Sequence, residues 1–262
     1  TTKFFIENEE DLAAWQDLPF EMVRPDLSAV AAMHARVGDA GLPYVNGISN
    51  ALHLATGSMA EEFRIMFCFA EKDRLRRLVE RAQQRLSQFV DYVLDAVAGV
   101  PDVVFRWYAI EPYVEPIQPP SFIDQFVVPF DRELVKRIHD RGRYVITHCH
   151  GRLRAQIRRM VQIGFDGVDC VESPPANDAT LAEMLADAGE RMFLWGYIQF
   201  EDLTHKSGDQ VEAMVRDAIA MGGTSGRYVL GQAASPWAAH LPGDSARNLI
   251  RMIEAGVKYG GH

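Results

Sequence analysis

Between Tyr144 and Gly151 the chain reads YVITHCHG, a β-branched run that stops on His148 and His150 with one residue between them. Side chains alternate along an extended backbone, so the two imidazoles point one way and Cys149 the other, and a chelating pair becomes available. The next β-branched run, Gly167 to Val171, is followed by Glu172. Two imidazoles and one carboxylate form a catalytic zinc ligand set with an open position, and the same nitrogen and oxygen donors accommodate iron. The alternative reading of these residues is a metal-free polar substrate pocket. Cys149 and Cys170 are expected to pack as small buried residues behind the sheet. His34, His53, His139 and His205 fall on expected helices or their edges and are read as surface or capping residues, while His240, after the last strand, is a candidate fourth ligand.

Strand signals must position these groups. Apolar, β-branched-rich runs occur at Pro43 to Ile48, Val103 to Ile110, Arg143 to Thr147, Gly167 to Val171, Met192 to Tyr197 and Arg227 to Gly231. Helical spacing fills the intervals at Glu61 to Val97, Ser121 to Arg141, Leu153 to Ile163, Ala179 to Ala188, Asp209 to Met221 and Ser245 to Tyr259. Strand followed by helix, repeated, specifies βαβ units and a parallel sheet. The expected class is α/β, a (β/α)8 TIM-type barrel, with six of its eight units visible and residues 1–262 forming one domain. In such a barrel the strand C-termini share one face. That face would collect Glu111 and Glu115, His148 and His150, Glu172, Tyr197 and Gln199, and Gln232.

Composition excludes several other classes. A formal charge of -9, from 36 acids against 27 bases, is the wrong sign for a broad nucleic-acid footprint. Three scattered cysteines make no disulfide framework and point to a reducing compartment, with cytoplasm as the expectation. No apolar run reaches the ~20 residues that span a bilayer, so neither membrane nor nucleic acid is an expected partner.

The order strand, H-x-H-G, helix, strand with an acid, then LWGYIQ (Leu194 to Gln199), GRYVLG (Gly226 to Gly231) and a closing NLIRMIE helix (Asn248 to Glu254) resembles the uroporphyrinogen decarboxylase superfamily, from about Asp11 to Tyr259. That superfamily includes zinc-dependent, cobalamin-linked methyltransferases, and its barrel is similar to that of cobalamin-independent methionine synthase. The resemblance implies a metal held, in the methyltransferase branch, by a His-x-Cys pair, in some members an acid, and a cysteine after the final strand. Here His148 matches the histidine, His150 replaces the first cysteine, Glu172 falls at the acid, and Gln232 stands near the place of the last cysteine. The decarboxylase branch depends on an N-terminal arginine-rich segment and an aspartate after the first strand, and this chain shows neither. The family barrel opens with roughly two elements that the sequence lacks.

The resemblance implies a zinc-dependent methyltransferase, with Fe²⁺ as the alternative metal, acting on a small substrate together with a corrinoid carried by a partner protein. Imidazole in place of thiolate would leave the ion more positive and favour Lewis-acid work on the oxygen of a methyl ether over activation of a thiol. Glu111, Tyr197 and Gln199 are the candidate catalytic residues, Glu111 for proton transfer and the other two for hydrogen bonds to substrate. Glu115, Arg152 and Trp237 are candidate substrate contacts: Arg152 lies at an expected helix start suited to anions, and Trp237 could wall an apolar pocket. A metal-free decarboxylase or lyase, and a non-catalytic binding protein on the same barrel, are the competing expectations.

Overall fold

The computed structural model describes residues 3–108, 110–235, 240–241 and 243–261, which fall into two compact units, Thr1–Val145 and Ile146–His262. Six strands alternate with helices in an α/β fold consistent with a TIM-type barrel. No helix among the described residues is long and apolar enough to cross a membrane.

The first unit runs α1 (Glu9–Asp17), α2 (Ser28–Val37), β1 (Tyr44–Ser49), α3 (Ala51–Thr56), α4 (Glu61–Ala70), α5 (Lys72–Ala96), β2 (Val104–Tyr108), α6 (Pro120–Phe126) and α7 (Val128–His139), and reaches the start of β3 (Tyr144–His148). β1 and β2 pair in parallel. Helix α5 buries Leu75, Leu78, Val79, Ala82, Leu86, Val90 and Val93, the three-and-four spacing of an apolar stripe. The single helix expected over Ser121 to Arg141 is two, because Pro129 supplies no N–H to continue the ladder and the chain restarts at Val128. The helical run from Glu61 divides likewise at Glu71. Ion pairs Arg137 to Asp91 at 2.9 Å and Arg141 to Asp95 at 2.9 Å tie α7 to α5 across their exposed edges.

The second unit completes β3 and continues with α8 (Arg154–Ile163), β4 (Gly167–Val171), α9 (Leu181–Asp187), β5 (Phe193–Ile198), α10 (Phe200–His205), α11 (Gly208–Gly222), β6 (Tyr228–Gln232) and α12 (Ser245–Tyr259). β3 to β6 pair in sequence order, all parallel. Ile146, Thr147, Val168 and Asp169 are all buried, as expected when helices cover a parallel sheet. Capping boxes at Thr180 with Glu183 and at Ser207 with Gln210 satisfy the first N–H groups of α9 and α11. Gly164, in the left-handed region at φ 102°, ends α8. Buried Asn248 donates its amide protons to the carbonyls of Leu203 and Lys206, closing the end of α10.

Asp131 on α7 is 1% exposed, and its Oδ1 has no hydrogen-bond partner. Burial raises its pKa well above the ordinary 3.8, so the folded chain holds the acid neutral while the unfolded chain releases the proton. Stability is therefore lost as pH rises from about 3.8 through the raised value. Asp131→Asn should raise the unfolding free energy at pH 7 by about 1 kcal/mol or more, with the two proteins converging near pH 4 in urea titrations. Equal curves at both pH values would remove the buried-acid account.

Candidate metal centre

At the end of β3, His148 and His150 stand with ring centroids 4.8 Å apart and planes at 87°. Cys149 between them is fully buried and faces away, as the alternation requires. The third donor is Cys170 on β4. One ligand atom from each of His148, His150 and Cys170 lies within 4.8 Å of the others, and all three side chains are partly accessible. The expectation that Cys170 packs behind the sheet is corrected: it belongs to the cluster.

The cause is local. The register of β4 against β5 shifts between Asp169 and Val171, and Cys170 occupies that irregularity at φ 65°. A non-glycine residue there is unusual, and the turn lets adjacent residues serve one site. Opposite it, Gly196 at φ 135° comes so close that an added Cβ would lie 2.6 Å from the Val171 carbonyl oxygen. Only glycine fits that approach.

Carboxylates hold the donors in place. His148 Nδ1 lies 3.0 Å from Asp169 Oδ1, and with Nδ1 donating to the carboxylate, Nε2 is the nitrogen left for a metal. His150 Nδ1 is 3.5 Å from Glu172 Oε1. Glu172 also accepts from the Gly151 amide at 2.8 Å and from the Gln199 side chain. Imidazole backed by carboxylate is the usual support for a metal-ligating histidine.

Burial opposes charge on His148, but Asp169 and Cys170 outweigh it and push its pKa up to about 9, so an ion would bind here by displacing the Nε2 proton. Burial would raise the Cys170 thiol; hydrogen bonds from His148 and His150 reverse this and bring it below the ordinary thiol value. A thiolate-prone sulfur beside two imidazoles suits a cation. Glu172 is likewise desolvated, yet His150, Gly151 and Gln199 hold its carboxyl below the usual range, so it stays an ionised acceptor.

The other expected site residues are placed as follows. Tyr197 is buried in β5 at φ 85°. Gln199, at the N-terminus of α10, joins the Glu172 network. Gln232 ends β6 opposite Ile198, half-buried. His240 is exposed and lies outside the His148, His150 and Cys170 group. Glu111 opens a short 3-10 turn after β2 in the first unit, and Glu115 follows it. Arg152 is exposed before α8, whose anion-attracting start is taken up by the chain itself: the Arg154 amide donates to Asp178 and the Leu153 amide to Asn177. Trp237 lies outside the described residues.

With this geometry in view, the comparisons become specific. Residues 6–256 match the family described as Uroporphyrinogen decarboxylase (URO-D). The chain belongs to the uroporphyrinogen decarboxylase family. Among solved structures it is similar to a methyltransferase from Methanosarcina mazei, with a TM-score of 0.67 at 16% identity, over 90% of this chain and 64% of that one. The likeness is one of fold, and the chain spans less than two thirds of that protein's length. No protein of curated function matches.

If Asp169 fixes the ligating tautomer, Asp169→Asn should weaken zinc affinity by about 10- to 100-fold in chelator competition while leaving the circular dichroism spectrum unchanged. An affinity equal to that of the native chain would show that the carboxylate does not orient the site.

Proposed function

We propose that this chain carries the metal centre of a methyltransferase acting on a small substrate, with His148, His150 and Cys170 as the ion's protein ligands. The observation that supports this reading is the convergence of those donors, each imidazole backed by its own carboxylate. Zinc fits a set of three nitrogen and sulfur ligands with a further position open to substrate. When bound, such an ion supplies Lewis acidity toward the oxygen or sulfur that releases or accepts a methyl group.

The chain's own residues do the remaining work. Asp169 and Glu172 keep protons on the Nδ1 atoms, so each ring offers Nε2. Gln199 and the Gly151 amide hold Glu172, whose depressed pKa suits it to accepting hydrogen bonds and not to donating a proton. One thiolate among the donors balances the charge between an all-imidazole set, which favours oxygen, and a thiolate-rich set, which keeps a substrate sulfur nucleophilic. Tyr197 and Gln199 as substrate contacts, Glu111 as a proton-transfer group and a corrinoid on a partner protein complete the proposal. The family likeness and the methyltransferase neighbour support methyl transfer as the reaction class.

The zinc-loaded chain mixed with methylcobalamin and a small thiol should convert the cofactor's absorption spectrum, and mixed with cob(I)alamin and a methoxylated aromatic should do so in the other direction. Activity in at least one arm, abolished by chelation and by Cys170→Ser, is the expected result. Failure of both arms, or turnover that survives chelation, contradicts the reading and leaves a metal-free reaction of the family.

A further inference from the structure

The first unit contains a cleft of about 250 Å³ that the metal centre does not use. It lies between the end of β1, the segment from Phe20 to Val23 and one face of α5. Its walls are apolar: Phe20, Leu54, Leu86 and Phe89. Phe20 is 45% exposed and Leu54 41%, so rings and methyl groups that would gain from cover stand open to water. Gly47 forms part of the floor at φ 91°, where a Cβ would meet nothing within 4 Å and β1 shifts register against β2. Bulged strands of this kind commonly border binding sites.

Two polar groups in the cleft lack counterparts. The Arg85 guanidinium lies 4.5 Å from the Phe20 ring centroid, and no carboxylate among the described residues pairs with it. The Ser49 Oγ is buried and has no hydrogen-bond partner. A guanidinium offers forked donors that match a carboxylate, and a serine hydroxyl adds one more. Glu21 also lines the cleft, and its exposed charge disfavours a ligand with a second negative group. An apolar site of about 150 Å³ accepts benzene, so 250 Å³ suits one ring and a few further atoms.

We propose that this cleft is a second binding site, one that takes a small monocarboxylate with a single-ring apolar body, its carboxylate on Arg85 and Ser49 and its body between Phe20, Leu86 and Phe89. The ring stacks where the walls are aromatic, and the charge-assisted contact to Arg85 sets the ligand's orientation.

Benzoate is the probe, titrated by calorimetry into the full chain after chelation, and again into His148→Ala, so that a metal-bound carboxylate cannot contribute. The expected result is saturable binding in both, weakened about tenfold or more by Arg85→Gln, as loss of a charged hydrogen bond implies. Leu54→Trp, at a partly exposed position where a larger side chain can be accommodated, should fill the cleft and abolish binding without lowering the melting temperature. Benzyl alcohol should bind at least tenfold more weakly than benzoate, and benzylammonium not measurably. Unchanged affinity in Arg85→Gln, equal binding of the alcohol or the amine, or no saturable binding of benzoate overturns the proposal.

Discussion

The hydrogen bond from His148 Nδ1 to Asp169 is the constraint on which the candidate metal centre depends. It spans two neighbouring strands and decides which ring nitrogen is left for a metal beside His150 and Cys170. The strand pairing of His148 with Asp169 brings the acid to the ring, and the irregularity at Cys170 lets the next residue reach the same place. Without that kink, alternation would put Asp169 and Cys170 on opposite faces of β4. The left-handed backbone at Cys170 and the close approach of Gly196 are local strain of the kind that functional sites retain.

Much of the fold was legible in the sequence because β-branched runs and helical spacing are local signals. Expected and observed strands differ by a residue or two at their ends, and the final helix has the expected limits, Ser245–Tyr259. Helices α1, α2, α3 and α10 gave no comparable signal. Two are six residues long, and α2 buries none of its residues, so no apolar stripe marks it. The split at Glu71 depends on a backbone angle that periodicity does not report, whereas Pro129 marks the break at Val127.

At the site, alternation at the end of β3 suffices to bring the His148 and His150 rings together. Cys170 also lies two residues before Glu172, but the place it takes depends on the irregularity of β4, which alternation does not report. Asp169 was harder to see, since its contact with His148 needs both the inter-strand register and the kink. The cysteine that the resemblance implies after the last strand is replaced by Gln232, and the thiol near the histidines is on β4.

A thiolate in place of the expected carboxylate ligand, as proposed, would change the character of the centre. Sulfur donates more charge than carboxylate oxygen and selects for zinc more strongly than a nitrogen and oxygen set does. Glu172 then works one step out, on His150, with Gln199 and Gly151 fixing it in turn. The measurement that reaches this claim most directly is X-ray absorption at the zinc edge of the zinc-loaded chain. The account predicts a first shell with two imidazole nitrogens and one sulfur, the sulfur vanishing in Cys170→Ser. A first shell of nitrogen and oxygen alone, or failure of the chain to retain zinc, would contradict it.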